Sequence, residues 1–371
     1  MTMPDLDANA TTPLHPLAGE AMAEAAAVGG NPASPHRIGR RARQLLDDAR
    51  ERIAARLDAQ PGEIIFTSGA TEANNLAIAG LAGALPGPIV VSAVEHPCVV
   101  EPVAWLQKQG WSVARIMPDA DGFIGAIPVR QAITSQTRFA AIMLANHETG
   151  AINDVAAMTG LVPVHTDAAQ AVGKIPVSFA QLGVATLSLS AHKFRGPVGI
   201  GVLIVRQGTK LGPLIRGGTQ QEGRRAGTEP VPLVVGMAAA LEQAVKGLAA
   251  ERERQARMRR RLAMALADLA VINGPGIDHP QVLPGTLNLS FPGCRSDLLL
   301  MKLDLAGISA STGAACASGA MLPSPVLAAM GITGERLRSA VRFSWSSATA
   351  DDEFDAAIPL VRECVLACKN Q

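Results

Sequence analysis

A lysine placed directly after a short apolar run carries the most chemistry in this sequence. In Ala185-Thr-Leu-Ser-Leu-Ser190-Ala-His192-Lys193 the run reads as a buried strand, and Gly196-Pro197-Val198-Gly199 turns the chain away just beyond it. Such a lysine is held at a sheet edge rather than on a solvated face. Burial and neighbouring cations lower an ammonium pKa and make the amine nucleophilic. Lys193 is therefore a candidate Schiff-base former, and pyridoxal 5'-phosphate is the usual carbonyl partner of such lysines.

Other polar groups share this placement. Ile64-Ile-Phe-Thr67 reads as a strand and runs through Ser68-Gly69 into the helical Ala70-Thr71-Glu72-Ala73-Asn74-Asn75. The first amides of a helix are unpaired and partly positive, so this turn suits a phosphate, with the Ala70 N–H and the Thr71 hydroxyl as donors. It is not a Walker loop, because no Gly-Lys-Ser/Thr follows. Glu95-His96, Asn146-His147-Glu148, Asp167-Ala-Ala-Gln170 and Ser190-Ala-His192-Lys193 each close an apolar run. Ligands of parallel sheets bind at the carboxyl ends of the strands, so these clusters are expected to meet in one site.

The elements that must position them follow from the pattern. Strand-like runs at 64–67, 89–94, 139–145, 162–166, 185–189 and 201–205 alternate with helical stretches such as 37–57. This predicts an α/β fold, a mainly parallel sheet with helices on both faces. A long helix is expected over roughly 231–269, with the run Glu251-Arg-Glu-Arg on its solvated face and the link between two domains in its length. The expected large domain spans 15–251. Residues 1–14 with 252–371 form a smaller α+β domain, with strands near 285–291 and 340–344. Within it Ile308-Ser-Ala-Ser-Thr-Gly-Ala-Ala-Cys316-Ala-Ser-Gly-Ala places a cysteine among Ala, Gly and Ser, which predicts a mobile loop. The loop Gly29-Gly-Asn31-Pro-Ala-Ser-Pro-His36 is dense in turn formers.

Composition narrows the function. The chain has 371 residues, 48% of them hydrophobic, and a net charge of +1, so a large core is available and no nucleic-acid-binding surface is indicated. Aromatics are scarce and tyrosine is absent, which speaks against base-stacking platforms. The five cysteines (98, 294, 316, 364 and 368) are odd in number and form no CxxC, so neither a disulfide framework nor a metal site is expected. No signal-peptide pattern opens the chain, and no run of 18 apolar residues offers a membrane span. A cytoplasmic location is the expectation.

These motifs together resemble the cysteine desulfurases, fold-type-I pyridoxal-phosphate enzymes of the class V aminotransferase family. The resemblance runs from Asp7 to about Ser344. It rests on the Asp7-Ala-Asn-Ala-Thr-Thr12 opening, Gly30-Asn31-Pro32, Phe66-Thr-Ser-Gly-Ala-Thr-Glu-Ala-Asn-Asn75, Asp167-x-x-Gln170, His192-Lys193, Arg225-Ala-Gly-Thr228 and Gly313-x-x-Cys316. The cysteine loop resembles the long form of the housekeeping and nitrogen-fixation branch.

The resemblance implies a role for each matched residue. Lys193 would carry the cofactor and Asp167 would pair with its ring nitrogen. Gln170 would donate to the phenolate oxygen, and His96 would stack on the ring and handle protons. Ala70, Thr71, Ser190 and His192 would hold the phosphate, joined by Thr228 from a second subunit, which implies a homodimer. Arg342, assisted by Asn31, would clamp the carboxylate of L-cysteine. Cys316 would take the sulfur as a persulfide, leave L-alanine, and pass its cargo to an acceptor such as an iron–sulfur scaffold. Two positions depart from the pattern: His147 stands where the family usually has the second Asn of Asn-Asn-Glu, in contact with the cofactor, and Leu6 replaces a usual aromatic. Alternatives are a selenocysteine lyase or another enzyme of the same fold, and, in another class, a non-catalytic regulatory partner of a desulfurase. The intact Lys193, Asp167 and Cys316 argue against the last.

Overall fold

A computed structural model describes residues 5–313 and 323–369. Seven strands form the main sheet: β1 (Ile64–Thr67), β2 (Pro88–Ser92), β3 (Ser112–Ile116), β4 (Phe139–Ala141), β5 (Val164–Asp167), β6 (Thr186–Ser190) and β7 (Gly201–Val205). Their spatial order is β1-β7-β6-β5-β4-β2-β3, and the pairings from β3 through β6 are all parallel. Only β7 runs against its two neighbours. The expected mainly parallel α/β sheet is therefore what forms.

The register lines up the polar strand ends. Asp167 pairs with Ser188, Ser190 with Gly201, and Gly201 with Thr67, so β5, β6 and β1 end on one edge. Gly201 is required there. A β-carbon on it would lie 2.6 Å from the Leu189 carbonyl oxygen and 2.7 Å from the Cα of Gly69. That approach brings β7 under the Ser68-Gly69 turn.

Strand β6 alternates polar and apolar residues yet is buried throughout. Such alternation usually leaves one face to water. Here the polar face is covered by helix Ala70–Ala82, whose buried Asn74 accepts from the hydroxyl of Ser188. β1 is an edge strand, and its open backbone is satisfied by a side chain: Gln221 accepts from the Phe66 N–H and donates to the Phe66 carbonyl, both at 2.8 Å.

Two expectations are corrected and one strand is added. The regular strand expected over 139–145 ends at Ala141; Ile142 and Leu144 still donate to the carbonyls of His165 and Asp167, while Leu144 and Asn146 also pair with Asn153 and Ala151 as the chain folds back. The helix expected over 231–269 is two helices, Val231–Val245 and Leu248–Ala265, set at 70°. Gly247, with φ of 78°, makes the left-handed turn between them. Strand β3 went unread because only Ile116 of its five residues is buried, so no apolar run marks it.

The second sheet joins β8 (Val271–Ile272), β9 (Thr286–Ser290) and β10 (Ala340–Ser344) in antiparallel order β10-β9-β8. A hydrophobic cluster gathers Leu6, the end of helix Leu248–Ala265, this sheet and helix Asp351–Lys369 around Trp345 and Phe354. The N-terminal strand segment bridges Asp5 to Ser309 and Asp7 to Ser344. It thereby threads Asn9 between the second sheet and the edge of the first. Among the described residues no single helix is long and apolar enough to cross a membrane.

Candidate active site

The carboxyl ends of the strands open into a pocket of about 370 Å³. Nine of the residues singled out from sequence line it: Ala70, Thr71, His96, His147, Asp167, Gln170, Ser190, His192 and Lys193. One end is built for an anion. Helix Ala70–Ala82 starts there with its free amides, and Ser190 and His192 stand beside it. Burial, with Lys193 and Lys174 adding to it, pushes His192 down to about 4, so it is neutral at physiological pH.

Lys193 rides on the tight turn Ala191–Phe194 that follows β6. Its Nζ donates to the backbone carbonyls of Asn9 at 2.6 Å and Ala10 at 2.8 Å. Burial lowers the ammonium to about 8, and the charge of Arg342 acts in the same direction. About a tenth of this amine is thus unprotonated at pH 7 and about half near pH 8, far more than for an ordinary lysine, and the unprotonated amine is the carbonyl nucleophile.

Asp167 anchors the far end and is fixed by neighbours on both oxygens. Oδ1 accepts the Ala169 N–H at 2.9 Å, and Oδ2 accepts from Asn74 Nδ2 at 2.7 Å. Asn74 is fully buried; its own oxygen accepts from Ser188 and meets His165 Nε2 at 2.8 Å. Burial brings His165 to about 4, which leaves it a neutral strut.

His96 caps helix Pro97–Lys108, its Nδ1 accepting the Cys98 N–H at 3.2 Å. The neutral ring therefore carries its proton on Nε2. The thiol of Cys98 lies 2.9 Å from the same Nδ1 and 3.6 Å from Asp167 Oδ2. Burial and then Asp167 raise the pKa of this thiol, so it stays protonated. Two buried polar atoms beside the pocket have no partner within the described chain, His147 Nδ1 and Arg342 Nε.

The remaining sequence candidates do not line this pocket. Arg342 is buried on β10 and donates to the His147 carbonyl at 3.0 Å and to Asp7 Oδ1 at 2.6 Å. Its Nε has no partner among the described residues. Asn31 is exposed, its Oδ1 accepting the Ala33 N–H. Thr228 is exposed and does not line this chain's own pocket. Arg225, from the same loop, pairs with Glu72 at 2.8 Å, in the first turn of the anion-facing helix. Cys316 lies outside the described residues.

Sequence reasoning passed over Asn9, Asn74 and Lys174. Lys174 is half-buried and donates to Gln170 Oε1 and to Asn9 Oδ1 at 2.8 Å; the Gln170 amide donates in turn to the Asn9 carbonyl at 3.0 Å. Burial, followed by Lys193 and Arg342, holds the Lys174 ammonium well below its ordinary value. Its spacing of four from Gln170 was the available signal.

A nucleophilic lysine, an aspartate held by a buried amide and a helix terminus for an anion face one pocket at the strand ends. That donor set fits pyridoxal phosphate group by group: aldehyde, ring nitrogen and phosphate. The fold and the site thus define a pyridoxal-phosphate-dependent enzyme of fold type I. Comparison with known proteins agrees. The aminotransferase class-V family matches residues 5–356, and the chain belongs to this family. It is 40% identical to an IscS-like cysteine desulfurase of Mycobacterium tuberculosis, over 98% of this chain and 97% of that one. It is 39% identical to the cysteine desulfurase IscS of Dictyoglomus turgidum, over 97% and 94%. Among solved structures a NifS-like protein superposes with a TM-score of 0.92 at 32% identity, covering both chains fully. SspA in complex with cysteine superposes with a TM-score of 0.81 at 33% identity, covering 92% of this chain and 98% of that one.

Proposed function

We propose that this chain is a cysteine desulfurase, which moves sulfur from L-cysteine to Cys316 as a persulfide and releases L-alanine. The observation that carries the reading is the joining of Lys193, Asp167 and the amino end of helix Ala70–Ala82 in one pocket, on a chain similar over nearly its whole length to cysteine desulfurases. When bound, pyridoxal phosphate supplies an electron sink for bonds at the substrate α-carbon. The protein's residues do the rest. Lys193 is the covalent attachment point and, once displaced, a base close to its own pKa. Asp167, pinned by Asn74, would hold the ring nitrogen. Gln170, its amide oriented by Lys174, would donate to the phenolate oxygen. His96 would cover the ring. Arg342 offers its unpartnered Nε to the substrate carboxylate, and Asn31 assists.

Thr228 is exposed on a loop tied by Arg225 to the phosphate end, which supports a homodimer in which Thr228 completes the partner's site. Residues 15–251 serve as the cofactor-binding domain, and 1–14 with 252–371 as the smaller domain. The persulfide passes to an acceptor protein, such as an iron–sulfur scaffold, in the cytoplasm. The deciding experiment is Cys316→Ala. It should keep the cofactor and bind cysteine but release no sulfide under reductant, and mass spectrometry should place the added sulfur of the wild type on Cys316. Sulfide release undiminished in the variant would refute the assignment.

A further inference from the structure

Desulfuration turns a CH2–SH group into CH3. L-cysteine and a protein thiol become L-alanine and a persulfide, with no proton gained or lost overall. The attacking thiolate supplies the electron pair of the new S–S bond. The C–S bond breaks, and its pair ends in the new C–H bond. One sulfur-bound proton must therefore be taken up by a base and later delivered to carbon. The group holding it in between must act as a base first and an acid afterwards.

His96 suits neither step well. Its Nδ1 is occupied by the Cys98 N–H and contacts the Cys98 thiol, so the resting ring already carries a proton on Nε2. A second proton would make an imidazolium. Burial lowers its pKa, and Lys193 and Arg342 also oppose the charge, with Asp167 on the other side.

His147 stands next to it, the two rings edge to face at 5.3 Å. It lines the pocket, is 8% exposed, and its Nδ1 has no partner among the described residues. Its Nε2 lies 3.6 Å from Glu148 Oε1. Glu148 is 1% exposed, and its other oxygen accepts the Ser324 hydroxyl. Gly313 packs so closely on it that a β-carbon there would come within 2.7 Å of Oε2. Asn146 fixes the turn, its oxygen accepting the N–H of Glu148 and of Thr149 at 2.9 Å, and its amide donating to Val94 at 3.1 Å. The segments bearing both histidines are thus tied together.

Building on the desulfurase reading, we propose that His147 is a proton-transfer residue of the reaction and that Glu148 sets which of its ring nitrogens carries the proton. With Glu148 ionised, the Nε2–H faces Oε1 and Nδ1 is a free acceptor. A sulfur-bound proton arrives at Nδ1 while the Nε2 proton passes to Oε1. The ring stays neutral, and Nδ1–H is now the acid that returns the proton to carbon as Oε1 gives its own back. The contact must shorten by about 0.5 Å for this transfer, as catalytic hydrogen bonds do when charge develops. The surroundings favour a neutral ring: burial, then His96, Arg342 and Lys193, hold His147 well below its ordinary value. Burial raises Glu148 to about 7 against the Ser324 bond and Arg342, so both states are populated near neutrality.

The test uses full-length protein labelled with 15N-histidine, with and without cofactor. In the wild type the His147 proton should move from Nε2 to Nδ1 as pH falls through about 7. In Glu148→Gln the tautomer should no longer follow pH. Single-turnover alanine formation by the wild type should fall as pH drops through about 7, because the base form is lost. Glu148→Gln should be slower by a factor of ~100 or more and lack that limb. His147→Asn, which leaves Glu148 and its bond to Ser324 intact, should lose the limb as well. A pH-independent tautomer at His147, or variants that keep both the wild-type rate and the limb, would overturn the proposal. A wild type that binds cofactor but forms no alanine from cysteine would refute the desulfurase reading itself, and the proposal with it.

Discussion

Replacing Asn74 by alanine removes the hub on which the aspartate end of the pocket depends. Asn74 is fully buried, and its amide serves four partners: Asp167 Oδ2 at 2.7 Å, Cys98 Sγ at 2.9 Å, His165 Nε2 at 2.8 Å and the Ser188 hydroxyl. A hydrogen bond to a charged group contributes about 1.5–3 kcal/mol, and a buried donor left unpaired costs about 1–3 kcal/mol. Asp167 loses one such bond, and His165 and Ser188 lose their acceptor. The sum is about 3.5–9 kcal/mol. The vacated space is polar and able to admit a water, which recovers part of it, so a loss of about 3 kcal/mol is the lower expectation. In urea, with a slope of about 3 kcal/mol/M, the unfolding midpoint should drop by about 1 M. Asn75→Ala is the control: its side chain donates to the Thr71 carbonyl on the helix surface, and a change within about 0.5 kcal/mol is expected. The cofactor spectrum should also become pH-dependent in Asn74→Ala, because Asp167 is no longer held. An Asn74→Ala midpoint equal to that of Asn75→Ala would refute the reasoning.

Borohydride should fix the cofactor to the wild-type chain but not to Lys193→Ala, and the cofactor-free wild type should capture pyridoxal phosphate faster as pH rises through about 8, where the amine loses its proton. A pH-independent capture rate would count against the lowered lysine. Gly201→Ala forces a methyl onto backbone that cannot yield; overpacking costs about 1–3 kcal/mol, and because the strain falls on the Gly69 turn, cofactor affinity should weaken at least about fivefold, as measured by fluorescence titration. Mixing Lys193→Ala with Thr228→Ala protein should restore one working site per mixed dimer; no recovery on mixing, with each variant alone inactive, would argue that Thr228 serves its own chain.

The sequence by itself determined the class of fold and most of the pocket. Apolar runs closing in polar residues mark strand ends, and the register of a parallel sheet then brings Thr71, Asp167, Ser190 and Lys193 to one edge. Periodicity is a local property, so it survives in a single chain read alone. It failed where a turn, and not a change of periodicity, ends the element. Beyond strand β4 the chain turns back on itself so that residues 144–146 pair with 151–153, and the long helix breaks at Gly247 although the residues on both sides are helical in pattern. Tertiary structure alone decided the second layer of the site. Asn9 comes from the other end of the chain to meet Lys193 and Lys174. Asn74 lies inside the sequence motif, but its grip on Asp167 spans 93 positions. The lowered lysine, the fixed proton of His96 and the near-neutral Glu148 follow from desolvation and from charges placed by folding. Residue identity names a group that can titrate; the dielectric and the neighbours that set its pKa exist only once the chain has closed around it.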